Sequence, residues 1–143
     1  LQTIFWYDKP SFYHGEPEME WFENLQTVFD DTKVLNGAPG KNITMARRKG
    51  QEWFVAAMTN NEGSEEEIPL TFLDKEKNYL ACIYTDGGEK IKTSTQVKCT
   101  YLLVNASQTM KFQLKPSGGA AIRLVPIDRQ EMKKYKKYKG ERL

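Results

Sequence analysis

Apolar and polar residues alternate with a period of two along most of the chain after residue 27. In the segment TMKFQLK, residues 109–115, Met110, Phe112 and Leu114 are each separated by one polar side chain. This period is typical of a strand with one buried face. Similar segments end at turn signals such as Asn36-Gly37 or Asp86-Gly87. These segments are residues 27–37, 41–60, 66–73, 78–87, 96–104 and 119–126. About seven short strands predict an all-β fold, a sandwich or a barrel. We favour an antiparallel, Greek-key-like β-sandwich.

The stretch ARRKGQEWFVAAMTN, residues 46–60, is interpreted as a hairpin that turns at Lys49-Gly50. Trp53 and its alternate neighbours point to one face of the second strand, and Phe54, Ala56 and Met58 point to the other. Both faces are apolar, which favours a central strand covered on each side. One face would line the core. The other would meet a neighbouring domain or the helix predicted near residues 16–25.

Residues 1–26 differ from the rest, because the pattern SFYHGEPEMEWFENL at 11–25 predicts a short helix. Pro17 suits a first helical turn, and the acidic residues around it suit the positive end of the helix dipole. The apolar stripe comprises Met19, Trp21, Phe22 and Leu25. Aromatic residues crowd the segment before the helix, so we expect it to pack against something larger. The prediction divides the chain into residues 1–26, a β-domain at 27–126 and a tail at 127–143.

Charge is unevenly distributed along the chain, whose net charge is +2. Residues 128–143 carry seven Lys or Arg against three Asp or Glu, a net of +4, which leaves about −2 for the rest. A nucleic-acid surface needs basic residues clustered on the folded domain, so we expect no nucleic-acid partner. No apolar run is long enough to span a bilayer, so we expect no membrane insertion. The tail has no wide apolar stripe, and we expect it to be flexible and solvated.

Candidate metal ligands and thiols are few. His14 is the single histidine, and no set of four ligands resembles a structural zinc site. A metal held by His14 with the glutamates at 16, 18 and 20 is one hypothesis; a charged first helical turn is the alternative we favour. Cys82 and Cys99 fall on neighbouring predicted strands, so a disulfide is geometrically feasible, but we favour two buried free thiols.

No pattern of residues supports independent catalysis. The acidic pair at 30–31 and the three glutamates at 65–67 lie beside strand starts and are interpreted as solvated. The serines lack a G-x-S-x-G context, and the glycine-rich turns lack the Lys-Ser/Thr of a phosphate loop. Asn42 and Asn105 begin glycosylation sequons, which matter only in a eukaryotic secretory host. No signal peptide is recognisable, and we expect Leu1 to be a boundary made by cloning or processing.

Longer motifs carry a resemblance to a known family. The stretches DDTKVLNGAPGKNITMARRKGQEWFVAAMTN (30–60), IPLTFLDKEKNYLACIYTDG (68–87) and LKPSGGAAIRL (114–124) are similar to the C-terminal domain of glycoside hydrolase family 97. The stretch YDKPSFYHGEPEMEWFENLQTVFDD (7–31) resembles the end of that family's catalytic barrel. The resemblance covers about residues 5–125 and excludes the basic tail.

The resemblance implies a parent enzyme that hydrolyses α-glucosidic or α-galactosidic bonds in a (β/α)8 barrel, with a calcium ion near its catalytic carboxylates. Those residues lie in the barrel, and no position of this chain matches them. The resemblance implies that this chain is a non-catalytic accessory domain that stabilises the catalytic barrel of its own protein. It also implies a role in homo-oligomerisation. Oligosaccharide would be bound only by the parent enzyme. A periplasmic or secreted location in a bacterium is also implied.

A carbohydrate-binding module is the alternative function, and it requires aromatic faces open to solvent. The candidates for a sugar contact or an interface are Trp6, Trp21, Trp53 and Phe54. An independent enzyme and an interaction domain unrelated to glycosidases are the remaining hypotheses.

Overall fold

The computed structural model of the protein describes residues 9–143. Within them, short 3-10 turns occupy Pro10–Tyr13 and Glu131–Lys134. The other elements are α1 (Met19–Asn24), β1 (Asp31–Ala38), β2 (Asn42–Lys49), β3 (Glu52–Thr59), β4 (Ser64–Pro69), β5 (Asn78–Asp86), β6 (Val97–Asn105), β7 (Thr109–Leu114), β8 (Gly119–Pro126) and β9 (Lys136–Lys137). The predicted strands and the short helix are therefore confirmed, with the helix reduced to six residues.

Two sheets pack face to face in the described part of the chain. The main sheet has the strand order β1-β2-β3-β8-β5-β6-β9, and the small sheet pairs β4 with β7. All pairs are antiparallel except β6 with the two-residue β9. The last long strand, β8, lies between β3 and β5, so its neighbours are distant in sequence. The predicted antiparallel sandwich is confirmed.

The core lies between the small sheet and one face of the main sheet, called here the inner face. Ala46, Val55, Ile122 and Ile83 are in register across β2, β3, β8 and β5 on this face, and none is more than 2% exposed. The small sheet covers them with the side chains predicted to point inward, which are Met110, Phe112 and Leu114. The period-two pattern therefore identified the core residues of β7 correctly.

The β2–β3 hairpin forms where the sequence predicted it. Gly50 has a φ of +58°, a left-handed conformation that glycine adopts without the steric cost of a Cβ. Asp30 accepts a hydrogen bond from the Gly50 backbone amide at 2.7 Å and pairs with Lys49. The Asp30 carboxylate is exposed to water, and it also stabilises the hairpin turn through these two contacts.

One acidic residue expected at a solvated strand end is instead buried. Glu66 on β4 is 1% exposed and accepts hydrogen bonds from Asn36 at 2.8 Å, from Ser64 at 2.7 Å and from Asn42. Buried carboxylates persist when such donors replace water. The interpretation of residue 66 as solvated was wrong, because two of its donors, Asn36 on β1 and Asn42 on β2, are 30 and 24 residues away in sequence.

The C-terminal segment packs on the sandwich, which corrects the expectation of an undocked, flexible tail. Tyr138 is 3% exposed; its hydroxyl accepts from the Lys111 amide at 3.0 Å and donates to the Glu141 carbonyl at 2.8 Å. Arg142 binds both carboxylate oxygens of Glu65, and Leu143 packs against the core. These side chains and the backbone hydrogen bonds of Tyr138 to Leu103 and of Leu143 to Lys111 dock the segment without a continuous apolar stripe.

Candidate assembly surface

The face of the main sheet that points away from the small sheet, called here the outer face, is only partly covered. Helix α1 lies on it, where the Trp21 ring meets the Phe54 ring edge-on with 6.2 Å between centroids. Phe29 contacts Phe54 from the other side at 6.0 Å. These rings leave Phe54 only 4% exposed. The helix therefore covers one part of the outer face and leaves the rest to solvent.

Glu16 anchors the chain just before α1. Its carboxylate accepts hydrogen bonds from the backbone amides of Ser94 at 2.9 Å and Thr95 at 3.1 Å, and from the Thr95 hydroxyl. These hydrogen bonds lower the pKa of Glu16 to about 2, and the bond from the Thr95 hydroxyl has the largest effect. The residue precedes the helix and is buried, so interpreting it as part of a charged first helical turn was wrong.

Glu20 is a second anchor. Its Oε2 accepts hydrogen bonds from the Tyr101 hydroxyl at 2.7 Å and the Tyr84 hydroxyl at 3.2 Å, which join α1 to β6 and β5. Burial, together with the neighbouring Glu20, raises the pKa of both phenols. The phenols therefore stay protonated and keep donating at neutral pH. Sequence analysis missed this contact because its partners are more than 60 residues away.

The two cysteines lie on the outer face as free thiols, Cys82 buried and Cys99 half-buried. Burial raises the pKa of each thiol to about 11. Both are therefore protonated at neutral pH, whereas nucleophilic attack and metal binding require a thiolate. In residues 9–143, no group of three or more His, Cys, Asp or Glu side chains is placed to hold a metal ion.

An uncharged row crosses the uncovered part of the outer face. Val34, Met45, Ala56 and Ala121 are in register across β1, β2, β3 and β8. Next to this row, Ile43 and Met58 pair across β2 and β3. We call these six residues the outer patch. Val34 is 65% exposed, Met58 63% and Ile43 41%. Contiguous exposed apolar side chains of this kind mark interaction surfaces.

A groove lies beside α1 and includes part of the outer patch, and we call it the α1 groove. Its volume is about 410 Å³. Ala56 and Ala121 contribute small side chains from the sheet, while Phe22, Met58 and Val97 form larger parts of its lining. Glu18 also lines it, and the Oε2 of that carboxylate is buried with no hydrogen-bond partner. The groove is therefore mainly apolar, with two acidic side chains, Glu18 and Asp86, in its lining.

Both edges of the main sheet have features that oppose pairing with another strand. The β6 edge carries β9, whose Lys136 and Lys137 are exposed. The β1 edge has an irregularity between Val34 and Asn36, and it also carries the exposed Lys33. Lysines and bulges at sheet edges disfavour edge-to-edge association. The outer face is therefore a better contact surface than either edge.

The aromatic residues predicted to contact sugar or an interface are dispersed. Trp53 is 5% exposed and packs in the core against Phe72, with 4.7 Å between ring centroids. Phe54 is buried under α1. Trp21 is half-buried, and its indole Nε1 is buried with no hydrogen-bond partner. Trp6 lies outside the described residues. None of the described candidates presents an open aromatic face of the kind that binds sugars.

The described residues contain no helix long and apolar enough to cross a membrane. His14 is exposed, next to the turn that leads to Glu16.

Comparison with known proteins places these features in context. A family model described as "Glycosyl-hydrolase 97 C-terminal, oligomerisation" matches residues 28–125. A "Retaining alpha-galactosidase" of Bacteroides thetaiotaomicron is 34% identical over 118 residues, which are 82% of this chain and 18% of that protein. A "Probable retaining alpha-galactosidase" of Streptomyces bingchenggensis is 26% identical over 113 residues, 78% of this chain and 16% of that protein.

Solved structures with a similar fold include an enzyme of glycoside hydrolase family 97. A glycoside hydrolase family 97 enzyme from Pseudoalteromonas sp. strain K8, in complex with acarbose, superposes with a TM-score of 0.76 and 29% identity over 84% of this chain and 20% of that chain. A beta-arabinopyranosidase has the same fold, with a TM-score of 0.61 and 23% identity over 80% of this chain and 18% of that one. The chain spans about a fifth of the length of these proteins.

Proposed function

The chain belongs to the C-terminal domain family of glycoside hydrolase family 97, and from this we propose that it is the non-catalytic assembly module of a longer enzyme. In this proposal, the complete polypeptide, called the longer enzyme below, hydrolyses α-galactosidic bonds, or α-glucosidic bonds as the alternative. The names of the two relatives support the first substrate class. The catalytic residues would lie outside this chain.

The outer patch is the observation that carries the proposal. Three of the six large apolar side chains that are most exposed in the described residues belong to this patch, namely Val34, Ile43 and Met58. An isolated soluble domain gains nothing from exposing them together, whereas a covered face would remove them from water. The proposed roles are to stabilise the catalytic domain by contact and to support oligomerisation, which the family description names.

A carbohydrate-binding module is not favoured by these observations, because Trp53 and Phe54 are buried and Trp21 packs against Phe22 and Phe54. The calcium ion expected near the catalytic carboxylates and the periplasmic or secreted location stay predictions from the family resemblance.

A charge in the outer patch tests the proposal. In the longer enzyme, Met58→Glu is expected to weaken assembly, because a contact that covers residue 58 would bury an unpaired carboxylate. Sedimentation velocity and thermal unfolding would show dissociation or a lower melting temperature. In the 143-residue chain alone the same change should alter the free energy of unfolding by no more than about 0.5 kcal/mol, since residue 58 faces water there.

The matched control is Thr71→Glu, which adds the same charge at an exposed turn after β4. It is expected to leave both measurements unchanged. If Met58→Glu sediments and melts like the unmodified longer enzyme, the outer face is not an assembly surface.

A further inference from the structure

The segment at residues 135–143 closes one side of the sandwich, and we call it the edge strap. We propose that the edge strap occupies strand edges that would otherwise pair with a second copy of the chain, and so keeps this side of the domain from associating. The inference does not depend on the proposed assembly role of the outer face. The edge strap lies beyond residues 28–125, to which the family model matches, so the family assignment does not account for it.

On the main sheet, the edge strap joins the side of β6 that faces away from β5. Strand β9 runs parallel to β6, with Lys136 and Lys137 in register with Leu102 and Leu103. One residue later, the Tyr138 backbone amide donates to the Leu103 carbonyl at 3.0 Å. Because β6 pairs with β5 on its other side, this contact makes β9 the outermost strand of the main sheet.

On the small sheet, the edge strap covers the side of β7 that faces away from β4. The Tyr138 hydroxyl accepts a hydrogen bond from the Lys111 amide at 3.0 Å. The Leu143 amide donates to the Lys111 carbonyl at 2.9 Å, and the Gln113 amide donates to the Leu143 carbonyl at 3.0 Å. In an antiparallel pair, residues alternate between facing the partner strand and facing away from it. Three successive backbone groups on the free edge of β7 are therefore paired by the edge strap.

Tyr138 links the two halves of this contact. It is 3% exposed, with its backbone on β6 and its hydroxyl at β7. The hydroxyl also donates to the Glu141 carbonyl at 2.8 Å across a turn in which Gly140 has a φ of +90°. Arg142 then binds the Glu65 carboxylate of β4 at 2.7 and 3.0 Å. That ion pair is exposed and exposed pairs contribute little, so we expect Tyr138 to hold the edge strap in place.

The β7 edge beneath the edge strap suits pairing with another strand. Without the edge strap, the backbone groups of Lys111 and Gln113 lose the partners named above. Unpaired N–H and C=O groups along a strand edge are a template for another chain. Strand β7 has six residues, none of them Pro or Gly, and its side chains alternate between buried and less buried positions. Its one charged residue, Lys111, pairs with Glu67 at 3.7 Å. A two-fold pair of β7 edges would satisfy the same groups in both copies.

Deletion of residues 135–143 from the 143-residue chain tests the proposal. Sedimentation velocity is expected to give the shortened chain a larger dimer fraction than the unmodified chain at each protein concentration. Adding Gln113→Pro to the shortened chain should return the dimer fraction to that of the unmodified chain. Proline removes the edge-facing amide of residue 113 and leaves the pairing of β7 with β4 in place.

A synthetic peptide of residues 135–143 provides a rescue in trans. It is expected to dissociate the dimer of the shortened chain, because it competes for the same edge. A peptide carrying Tyr138→Phe should require a concentration about tenfold higher, since it loses the hydrogen bonds of the phenol. A peptide carrying Tyr135→Phe is the matched control and should act like the unmodified peptide, because the hydroxyl of residue 135 takes no part in the contacts described above.

Hydrogen exchange in the 143-residue chain keeps the test valid if the shortened chain does not fold. Tyr138→Phe should speed exchange of the Lys111 amide by about tenfold and raise the dimer fraction. The amide of Phe112, which faces β4, should exchange at its original rate. Unchanged exchange of the Lys111 amide, or faster exchange with no gain in dimer, would overturn the proposal.

The result also distinguishes the edge strap from the outer face. If the shortened chain folds and sediments like the unmodified chain, the edge strap does not block association and the inference fails. If its dimer is abolished by Met58→Glu but not by Gln113→Pro, the dimer forms through the outer patch. That outcome would overturn the role of the edge strap while supporting the proposed assembly surface.

Discussion

The two faces of the main sheet are built by the same strands but have different environments. On the inner face, Val55 and Ile122 are fully buried under the small sheet. On the outer face of the same strands, Ala56 and Ala121 border a groove, and Met58 is 63% exposed. Both faces are apolar, yet only one is completely covered in the described structure. The apolar side chains left exposed on the outer face are the basis of our proposal that another part of the longer enzyme covers them.

The anchors of α1 explain why the cover is partial. Glu16 binds the loop at Ser94 and Thr95, and Glu20 binds two tyrosines on β5 and β6. These contacts hold the helix over Phe54 and the β5–β6 side of the sheet. The β1–β3 side, which carries the outer patch, is left open. The position of the helix therefore defines both the groove and the surface available to a partner.

The largest expected effect separates the two faces directly. Ile122→Ala should reduce the free energy of unfolding of the 143-residue chain by about 2–5 kcal/mol, because it leaves a cavity in the covered core. Met58→Ala, on the outer face, should change it by no more than about 0.5 kcal/mol. Urea denaturation monitored by tryptophan fluorescence gives both values. Equal losses for the two variants would mean that the faces are equally covered in the isolated chain.

A smaller, pH-dependent effect concerns the anchoring of α1. The pKa of Glu16 is lowered to about 2 from an ordinary value near 4.5, so the folded state favours the charged carboxylate. Its stabilisation is therefore complete above pH 4.5 and is lost as the pH falls toward 2. Glu16→Gln should lower the melting temperature at pH 6, and the difference from the unmodified chain should shrink progressively below pH 4.5.

Melting curves between pH 2.5 and 6 would measure this difference. Glu23→Gln, whose side chain is exposed, is the control and should show no such trend. A constant difference across this range would contradict the role assigned to the Glu16 carboxylate.

Local patterns were sufficient to predict the strands. Period-two alternation identified Met110 and Phe112 as core residues, and Lys49-Gly50 identified the hairpin turn, because both signals act over a few residues. The outer face of β3 was also predicted to be apolar and to meet a helix or a neighbouring domain. The contact of Phe54 with Trp21 confirms the helix; the neighbouring domain stays a proposal.

Contacts between distant residues could not be predicted in the same way. Glu66 resembles its exposed neighbours in sequence, and only the pairing of β1 with β2 brings Asn36 and Asn42 to it. Tyr138 resembles any tyrosine in a basic segment until the Lys111 amide is placed beside it. Alternation cannot distinguish a sheet face covered by the same domain from one covered by another domain. The α1 groove and the unpaired Oε2 of Glu18 could therefore be identified only in the structure.

Methionine oxidation tests the central claim most directly, because the chain carries its own controls. Met58 is 63% exposed, Met110 is fully buried and Met132 is half-buried in the tail. With dilute peroxide and peptide mass spectrometry, Met58 should be oxidised rapidly in the 143-residue chain and several-fold more slowly in the longer enzyme. Met110 should be protected in both proteins, and Met132 should react equally in both. Equal oxidation of Met58 in the two proteins would contradict the assignment of the outer face as the assembly surface.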